Sequence, residues 1–266
     1  LKSLYSLIDT DEKFSAYVNE KARLSFYADF LYPLASSSTL KQYYKETPEG
    51  DFTPELYTCR TELWKALHPY QMKLIRMSPA AFIHFGTTKE LLQLMTKRME
   101  EFQYLGWNSH IHTNRMQKEF AASNSYVSLG AQIGEGSYLE DCYIHQDSKI
   151  GRECVISSVT LNGQEIPEQA VLHGLKLKSG KFVVRMYGVE DNPKENTLFG
   201  RKLPETLWTA SVYPVCDTIE EAVNKTLDAW KNGFPIGEQT ISLKDSFNQA
   251  DLSALLPWEE KLSDKV

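Results

Sequence analysis

Apolar and polar positions change their spacing twice along this chain, and each spacing predicts a different architecture. Over residues 1–105, helical and strand patterns alternate. In TPELYTCRTELWKAL, Leu56, Leu63, Trp64 and Leu67 fall near one helical face, with Thr53 as N-cap and Pro54 at the first helical position. AAFIHFG (residues 80–86) is a short apolar run ending in glycine, which predicts a buried strand. TTKELLQLMTKRME follows at once with Thr87 and Glu90 at capping-box spacing, so the pair predicts strand–turn–helix. RLSFYADFLYPLA (residues 23–35) predicts an aromatic-rich strand, and the region as a whole a mixed α/β unit.

Over residues 106–180 the pattern is neither helical nor that of a hairpin. Val127, Ile133 and Leu139 are six apart; the register slips to Ile144 and resumes at Ile150 and Ile156. Steps of five then lead through Leu161, Ile166 and Val171. A period near six is the signature of hexapeptide-repeat β-solenoids, in which each repeat forms one face of a triangular coil and small residues turn the corners. The pairs Ile133-Gly134 and Ile150-Gly151 are therefore expected to be stacked corners of neighbouring coils. Few repeats are visible, so the solenoid should be short.

Over residues 181–266 the pattern returns to irregular α/β. KFVVRMYGV predicts a strand and DNPKEN a turn. TIEEAVNKTLDAWKNG carries a second capping box in Thr218 and Glu221. Ile219, Ala222, Val223 and Trp230 share its apolar side, and Asn232-Gly233 form its stop. SFNQADLSALLPWEEKL predicts a C-terminal helix broken by Pro257.

Composition narrows the function classes. With 42% hydrophobic and 24% charged residues among 266, the chain is of ordinary globular type. Its net charge of -6 argues against a general nucleic-acid binder, while leaving room for a local site for small anions. No apolar run approaches the roughly 20 residues that span a bilayer. The N-terminal stretch is too weak for a signal peptide, so a cytoplasmic location is expected. Cys59, Cys142, Cys154 and Cys216 are scattered, which fits reduced buried thiols better than a disulfide frame or a zinc site. No Gly-rich phosphate loop, H-E-x-x-H or G-x-S-x-G occurs.

Chemistry-bearing candidates are few. His84 ends the apolar run just before a helix N-terminus, where α/β proteins bind anions and metals; the alternative is a half-buried, hydrogen-bonded histidine. Asp29 is a lone carboxylate among aromatics, and its alternative role is an N-cap or the partner of a nearby backbone amide. His145 and His173 lie in the repeat region, where hexapeptide acyltransferases place a catalytic base, yet surface or structural roles suit both better. Glu190, Asp191, Lys194 and Glu195 cluster on what reads as a solvated turn.

Taken together, RLSFYADFLYPLAS, SPAAFIHFGTTKELLQLM, IPEQAVLHGLKL, RMYGVEDNPKE, VYPVCDTIEEA and SFNQADLSALLPWEE resemble the fucose-1-phosphate guanylyltransferase (GDP-fucose pyrophosphorylase) family. The particular likeness is to bacterial bifunctional enzymes that join this activity to an L-fucose kinase. It implies part of a nucleotidyltransferase α/β domain, a short left-handed parallel β-helix and an α/β extension. The implied reaction joins fucose-1-phosphate to GTP with release of pyrophosphate, using Mg²⁺. FIHFGT resembles the strand-end motif that in related enzymes carries a metal-binding aspartate; here His84 stands in that place, followed by Gly86 and Thr87. The resemblance makes Asp29, His84, Gly86 and Thr87 substrate-binding candidates, with no catalytic or metal residue assigned. Nothing in this chain matches the family's Gly-rich loop or its pyrophosphate-binding cations, the kinase part is absent, and the chain opens on Leu1 rather than Met. It is therefore expected to be the central or C-terminal portion of a larger enzyme, inactive alone and able to self-associate through its coils. The rival readings are a hexapeptide acyltransferase and a non-catalytic scaffold.

Overall fold

The computed structural model describes residues 2–17, 22–235 and 239–254. They form two compact units, residues 1–81 and 82–266, so the helix after Thr87 belongs with the repeat region rather than with the segment before it.

The described part of the first unit is helical. It contains α1 (Lys2–Tyr5), α2 (Asp11–Tyr17), α3 (Leu40–Tyr43) and α4 (Pro54–Leu67). Helix α4 starts as its sequence predicts: Thr53 Oγ1 accepts from Leu56 N–H at 3.1 Å, and Leu56, Leu63 and Leu67 are buried. The expected aromatic strand is instead a π-helix, Phe26–Leu31, running into a 3₁₀ turn, Tyr32–Leu34. Ser25 caps it, accepting from Ala28 N–H at 3.4 Å, and Asp29 N–H donates to Ser25 O at 2.8 Å. These short-range bonds satisfy the backbone where, among the described residues, no neighbouring strand exists, and aromatic content reads as strand only when a sheet is there to pack on.

The run at residues 80–86 is likewise no strand. It has no regular structure, Phe82 is 86% exposed, and Leu74 upstream in the first unit is 95% exposed. Among the described residues, none of the strands lies before residue 110, which corrects the mixed α/β expectation for residues 1–105.

The second unit opens with α5 (Thr88–Thr96) and is dominated by a β-solenoid of about three turns. Its strands are β1 (His110–Thr113), β2 (Phe120–Val127), β3 (Gln132–Ile133), β4 (Ser137–Glu140), β5 (Tyr143–Ile144), β6 (Lys149–Ile150), β7 (Val155–Ser157), β8 (Thr160–Leu161), β9 (Glu165–Ile166) and β10 (Ala170–Lys176). Three parallel ladders run along it: β2–β4–β7–β10, β2–β5–β8 and β3–β6–β9. Their inward residues stack as Ala122–Leu139–Ile156–Leu172, Val127–Ile144–Leu161 and Ile133–Ile150–Ile166, and together form one core. The aliphatic spacing thus located these inward positions from Val127 to Ile166, and missed Ala122 before them and Leu172 after them. Leu172, not Val171, continues the core ladder, and Val171 faces outward to a second cluster with Leu92 of α5.

The corners close as tightly as the repeated Ile-Gly pairs predict. A Cβ on Gly134 would lie 2.4 Å from the Gly151 carbonyl, and one on Gly151 would lie 2.4 Å from Glu168 N. Only glycine lets the coils stack at that distance. Buried serines satisfy amides at other corners: Cys142 N–H donates to Ser125 Oγ at 3.1 Å, and Cys154 N–H donates to Ser137 Oγ at 3.0 Å.

Parallel winding stops after β10, where a turn sends β11 (Phe182–Gly188) back antiparallel. Beyond the short hairpin β12 (Thr197–Leu198) and β13 (Arg201–Lys202), β14 (Tyr213–Cys216) pairs antiparallel with β11, and β15 (Thr240–Ile241) with β14. Between them, α6 (Ile219–Asn232) starts at Thr218 and ends at Gly233 as predicted, laying Ala222, Val223 and Leu227 into the solenoid core. The last α-helix among the described residues, α7 (Leu243–Gln249), ends at Ala250, and a 3₁₀ turn (Leu252–Ala254) follows; Pro257 lies outside the described residues.

Candidate functional site

The second unit has an open cleft of about 950 Å³. One wall is the segment Phe85 to Leu91 at the start of α5; the other is the loop Val189 to Glu195 after β11. The cleft therefore joins two stretches that the sequence had marked separately, the FIHFGT segment and the acidic turn.

His84 reaches this wall through a fold-back that depends on Gly86. Its Nδ1 lies 3.2 Å from Glu90 Oε1, and a Cβ on Gly86 would sit 2.2 Å from His84 Cε1. Thr87 is the N-cap: its Oγ1 accepts from Glu90 N–H and donates to Glu90 Oε2, both at 3.2 Å. The hydrogen bond from His84, with help from Thr87, holds the Glu90 carboxyl below its ordinary pKa against a smaller opposing effect of desolvation. With Nδ1 turned to the Glu90 carboxylate, Nε2 is the ring nitrogen that Glu90 does not engage, and it lies beside Gly86, 2.9 Å from where a Cβ would sit. The His84 side chain is 62% exposed.

The opposite wall is built by Asp191. Its Oδ2 accepts from Gly188 N–H at 2.6 Å and Phe199 N–H at 3.0 Å, which fixes the loop. Lys89 and Glu190 pair across the cleft, and the carboxylate raises the lysine pKa. Lys97 Nζ binds Glu153 Oε1 at 2.6 Å, tying α5 to a solenoid corner. Sequence reasoning missed Glu90, Lys89 and the loop as site residues. The capping-box spacing did mark Glu90, but only as a cap.

Asp29 is placed in the first unit, and there its carboxylate is fully enclosed. Arg60 Nε donates to Asp29 Oδ1 at 2.7 Å, Ser25 N–H donates to Oδ2 at 2.6 Å, and Tyr43 Oη donates to the Asp29 carbonyl at 2.8 Å. Arg60 also donates to the carbonyls of Tyr43 and Glu46 and lies over the Tyr43 ring. Burial, followed by the Asp29 charge, raises the Tyr43 pKa. All three side chains are buried completely, so the Asp29 carboxylate has no surface at which to meet a substrate. The partner of a backbone amide, offered as its alternative role, is what the geometry shows.

His145 packs tilted against Tyr143 with ring centroids 4.4 Å apart, and His173 is bonded to Arg185. All four cysteines are buried free thiols. Mg²⁺ prefers an octahedron of oxygens, and the described residues contain no group of three or more His, Cys, Asp or Glu side chains placed to hold a metal. Of the carboxylates that line the cleft, Glu190 pairs with Lys89, Asp191 is committed to amides, and Glu195 accepts from Asn192 Nδ2 at 3.3 Å. This donor set does not fit a resident Mg²⁺.

A solenoid closed by an α/β extension, with a helix-start cleft on its side, defines a class of scaffolded α/β protein without naming its chemistry. The comparison with known proteins does name a family. Residues 1–211 match the Fucose pyrophosphorylase domain, and the chain belongs to that family. It is similar to fucose-1-phosphate guanylyltransferase of Mus musculus, at 21% identity over 89% of this chain and 48% of the relative. It is also similar to fucose-1-phosphate guanylyltransferase of Homo sapiens, at 22% identity over 89% of this chain and 47% of the relative. The chain spans about half the length of these curated relatives. No solved structure matches it. Among the described residues, no helix is long and apolar enough to cross a membrane.

Proposed function

We propose that this chain carries the sugar-phosphate side of a guanylyl transfer. In that reaction an oxygen of fucose-1-phosphate attacks the α-phosphorus of GTP, the bond to the β-phosphate oxygen breaks, and pyrophosphate leaves with GDP-fucose as product. The observation that carries the reading is the cleft at the start of α5, inside the stretch that matches the family. There the first free amides of α5 would donate to the sugar-phosphate, because helix N-termini favour anions. Beside them His84, in its imidazolium form, would donate from Nε2 while Nδ1 keeps Glu90. Lys194 lies on the facing wall, where a second cation would offset charge developing in the transition state. Gly86 acts by letting His84 fold back, and Thr87 by fixing the helix start. Asp29 is assigned a positioning role within the first unit rather than a substrate contact.

The solenoid is proposed to be of the left-handed hexapeptide type, on the support of its five- and six-residue steps, and to serve as the scaffold. The complete reaction is proposed to need a further nucleotide-binding segment. Two observations support this: the chain spans about half of its relatives, and apolar side chains such as Leu74 and Phe82 stand in solvent. The Mg²⁺ requirement belongs to that complete enzyme and is given no ligand here.

Calorimetric titration of the chain with fucose-1-phosphate and with GDP-fucose tests the reading. Saturable binding that is weakened at least tenfold in His84→Ala, without GDP-fucose formation by the chain alone, is expected. Binding unchanged in His84→Ala, or absent from a folded chain, overturns the site assignment.

A further inference from the structure

The outer face of the solenoid sheet carries a polar row that ends on an unbalanced charge. Cross-strand register sets Ser123, Glu140, Ser157, His173 and Arg185 side by side on β2, β4, β7, β10 and β11. Side chains alternate along a strand. This row therefore lies opposite the core residues Leu139, Ile156, Leu172 and Met186, beside the outward apolar row that Leu92 of α5 covers.

At the end of the row, Arg185 donates from Nη2 to His173 Nδ1. That bond places the histidine's ring proton on Nε2. Burial, followed by the neighbouring guanidinium, lowers the His173 pKa to about 3, so His173 is a neutral partner that adds no counter-charge. Arg185 is itself largely desolvated, and the other groups acting on it are Tyr187 and Tyr213. Tyr213 Oη is already committed, donating to Met186 O at 3.1 Å. Arg185 Nε is buried and has no hydrogen-bond partner. The carboxylate on the row, Glu140, is three strands away, about 14 Å at the usual strand spacing and beyond the screening length in physiological salt.

A largely desolvated guanidinium with one donor unused and, among the described residues, no carboxylate beside it costs stability that packing alone does not return. Ser157, His173 and Arg185 are each partly exposed, so a ligand can reach the row, and Arg185 meets it with its enclosed Nε only by turning its guanidinium towards it. Arg185 Nε–H and His173 Nε2–H are both donors, and the pair presents no free acceptor. We propose that Arg185 and His173 form a binding site for a phosphoryl group, a phosphate monoester or a diphosphate, on the outer face of the solenoid. A tetrahedral oxyanion supplies several acceptor oxygens and the missing charge together. The site shares no residue with the cleft at α5, so it stands or falls apart from the reaction proposed there.

The test is titration of the full chain, in chloride buffer, with inorganic phosphate and with inorganic pyrophosphate, following the arginine Nε–H resonances. One resonance, absent from Arg185→Lys, is expected to shift saturably, and whichever anion binds tenfold tighter tells a monoester site from a diphosphate site. Arg185→Met should bind at least tenfold more weakly, with an unfolding temperature in phosphate-free buffer no lower than the wild type. Should that variant fail to fold, Arg185→Lys serves, because it keeps the charge and loses the planar fork of donors; its binding should weaken several-fold. The proposal is overturned if no arginine resonance responds, if Arg185→Met binds like the wild type, or if folded Arg185→Lys binds as tightly as the wild type.

Discussion

Replacing Asp29 by alanine should damage the first unit through Arg60 rather than through any ligand. The carboxylate accepts from Arg60 Nε at 2.7 Å and Ser25 N–H at 2.6 Å, and both charged side chains have no exposed surface. Without it, Arg60 keeps only its two bonds to the carbonyls of Tyr43 and Glu46, and its Nη2 is already without a partner. Leaving such a charge buried and unpaired costs about 3–5 kcal/mol, and orphaning the Ser25 amide about 1–3 kcal/mol. The two losses share one site and overlap, so a total of about 4 kcal/mol is expected. Urea unfolding followed by hydrogen exchange of the α4 amides reads the effect locally. Adding Arg60→Met to Asp29→Ala should recover more than half of it, since the stranded charge goes with the arginine. Because the pair is enclosed, 0.5 M salt should change the cost little. A loss below about 1 kcal/mol, or no recovery in the double variant, would refute the account.

The remaining expectations concern the solenoid. Gly151→Ala places a methyl 2.4 Å from Glu168 N, backbone against backbone, and should destabilise the second unit by roughly 3 kcal/mol, the upper end of overpacking costs, in a denaturant titration. His173 has a folded-state pKa of about 3, below its ordinary 6.5, so between those values the unfolded chain holds a proton that the native chain lacks. Its contribution, full above pH 6.5, is lost as pH falls towards 3, with a slope of up to about 1.4 kcal/mol per pH unit. The difference between wild type and His173→Gln over pH 4–7 isolates it, and an unchanged slope would count against a neutral buried His173. Burial pushes the Cys142 thiol up to about 12 and Cys154 up to about 11. At pH 8 the smaller thiolate fraction should slow labelling by a thiol reagent about two thousandfold at Cys142 and about two hundredfold at Cys154 relative to free cysteine; finding either among the fast-labelled sites of native protein by mass mapping would refute this.

Much of the solenoid was legible from the chain alone. Its signal is one-dimensional: an aliphatic residue must return each time the chain turns inward, and a glycine wherever two coils touch at backbone distance. Val127 through Ile166 and the stacked Gly134 and Gly151 follow from that alone. The helix starts at Thr53, Thr87 and Thr218 were equally local, because a cap is written within four residues. What failed was everything that depends on a distant partner. The stretches around Asp29 and Phe82 have the composition of strands, yet a strand exists only beside another, and the described residues supply no neighbour there. The choice of Leu172 over Val171 depended on where the last coil meets α5 and α6.

The candidate site divides along the same line. His84, Gly86 and Thr87 could be picked out because a strand-end motif and a helix cap sit in one short window. Their arrangement with Glu90 and the Asp191 loop was set by the packing of α5 on the solenoid, about a hundred residues of chain away. Local propensity, capping and repeat spacing are properties of neighbours in sequence, so the sequence by itself determined the coils, the caps and the family. Burial and pairing are properties of neighbours in space. Only the tertiary structure decided that Asp29 is locked to Arg60, that Arg185 lacks a carboxylate partner among the described residues, and that two separate stretches share one cleft.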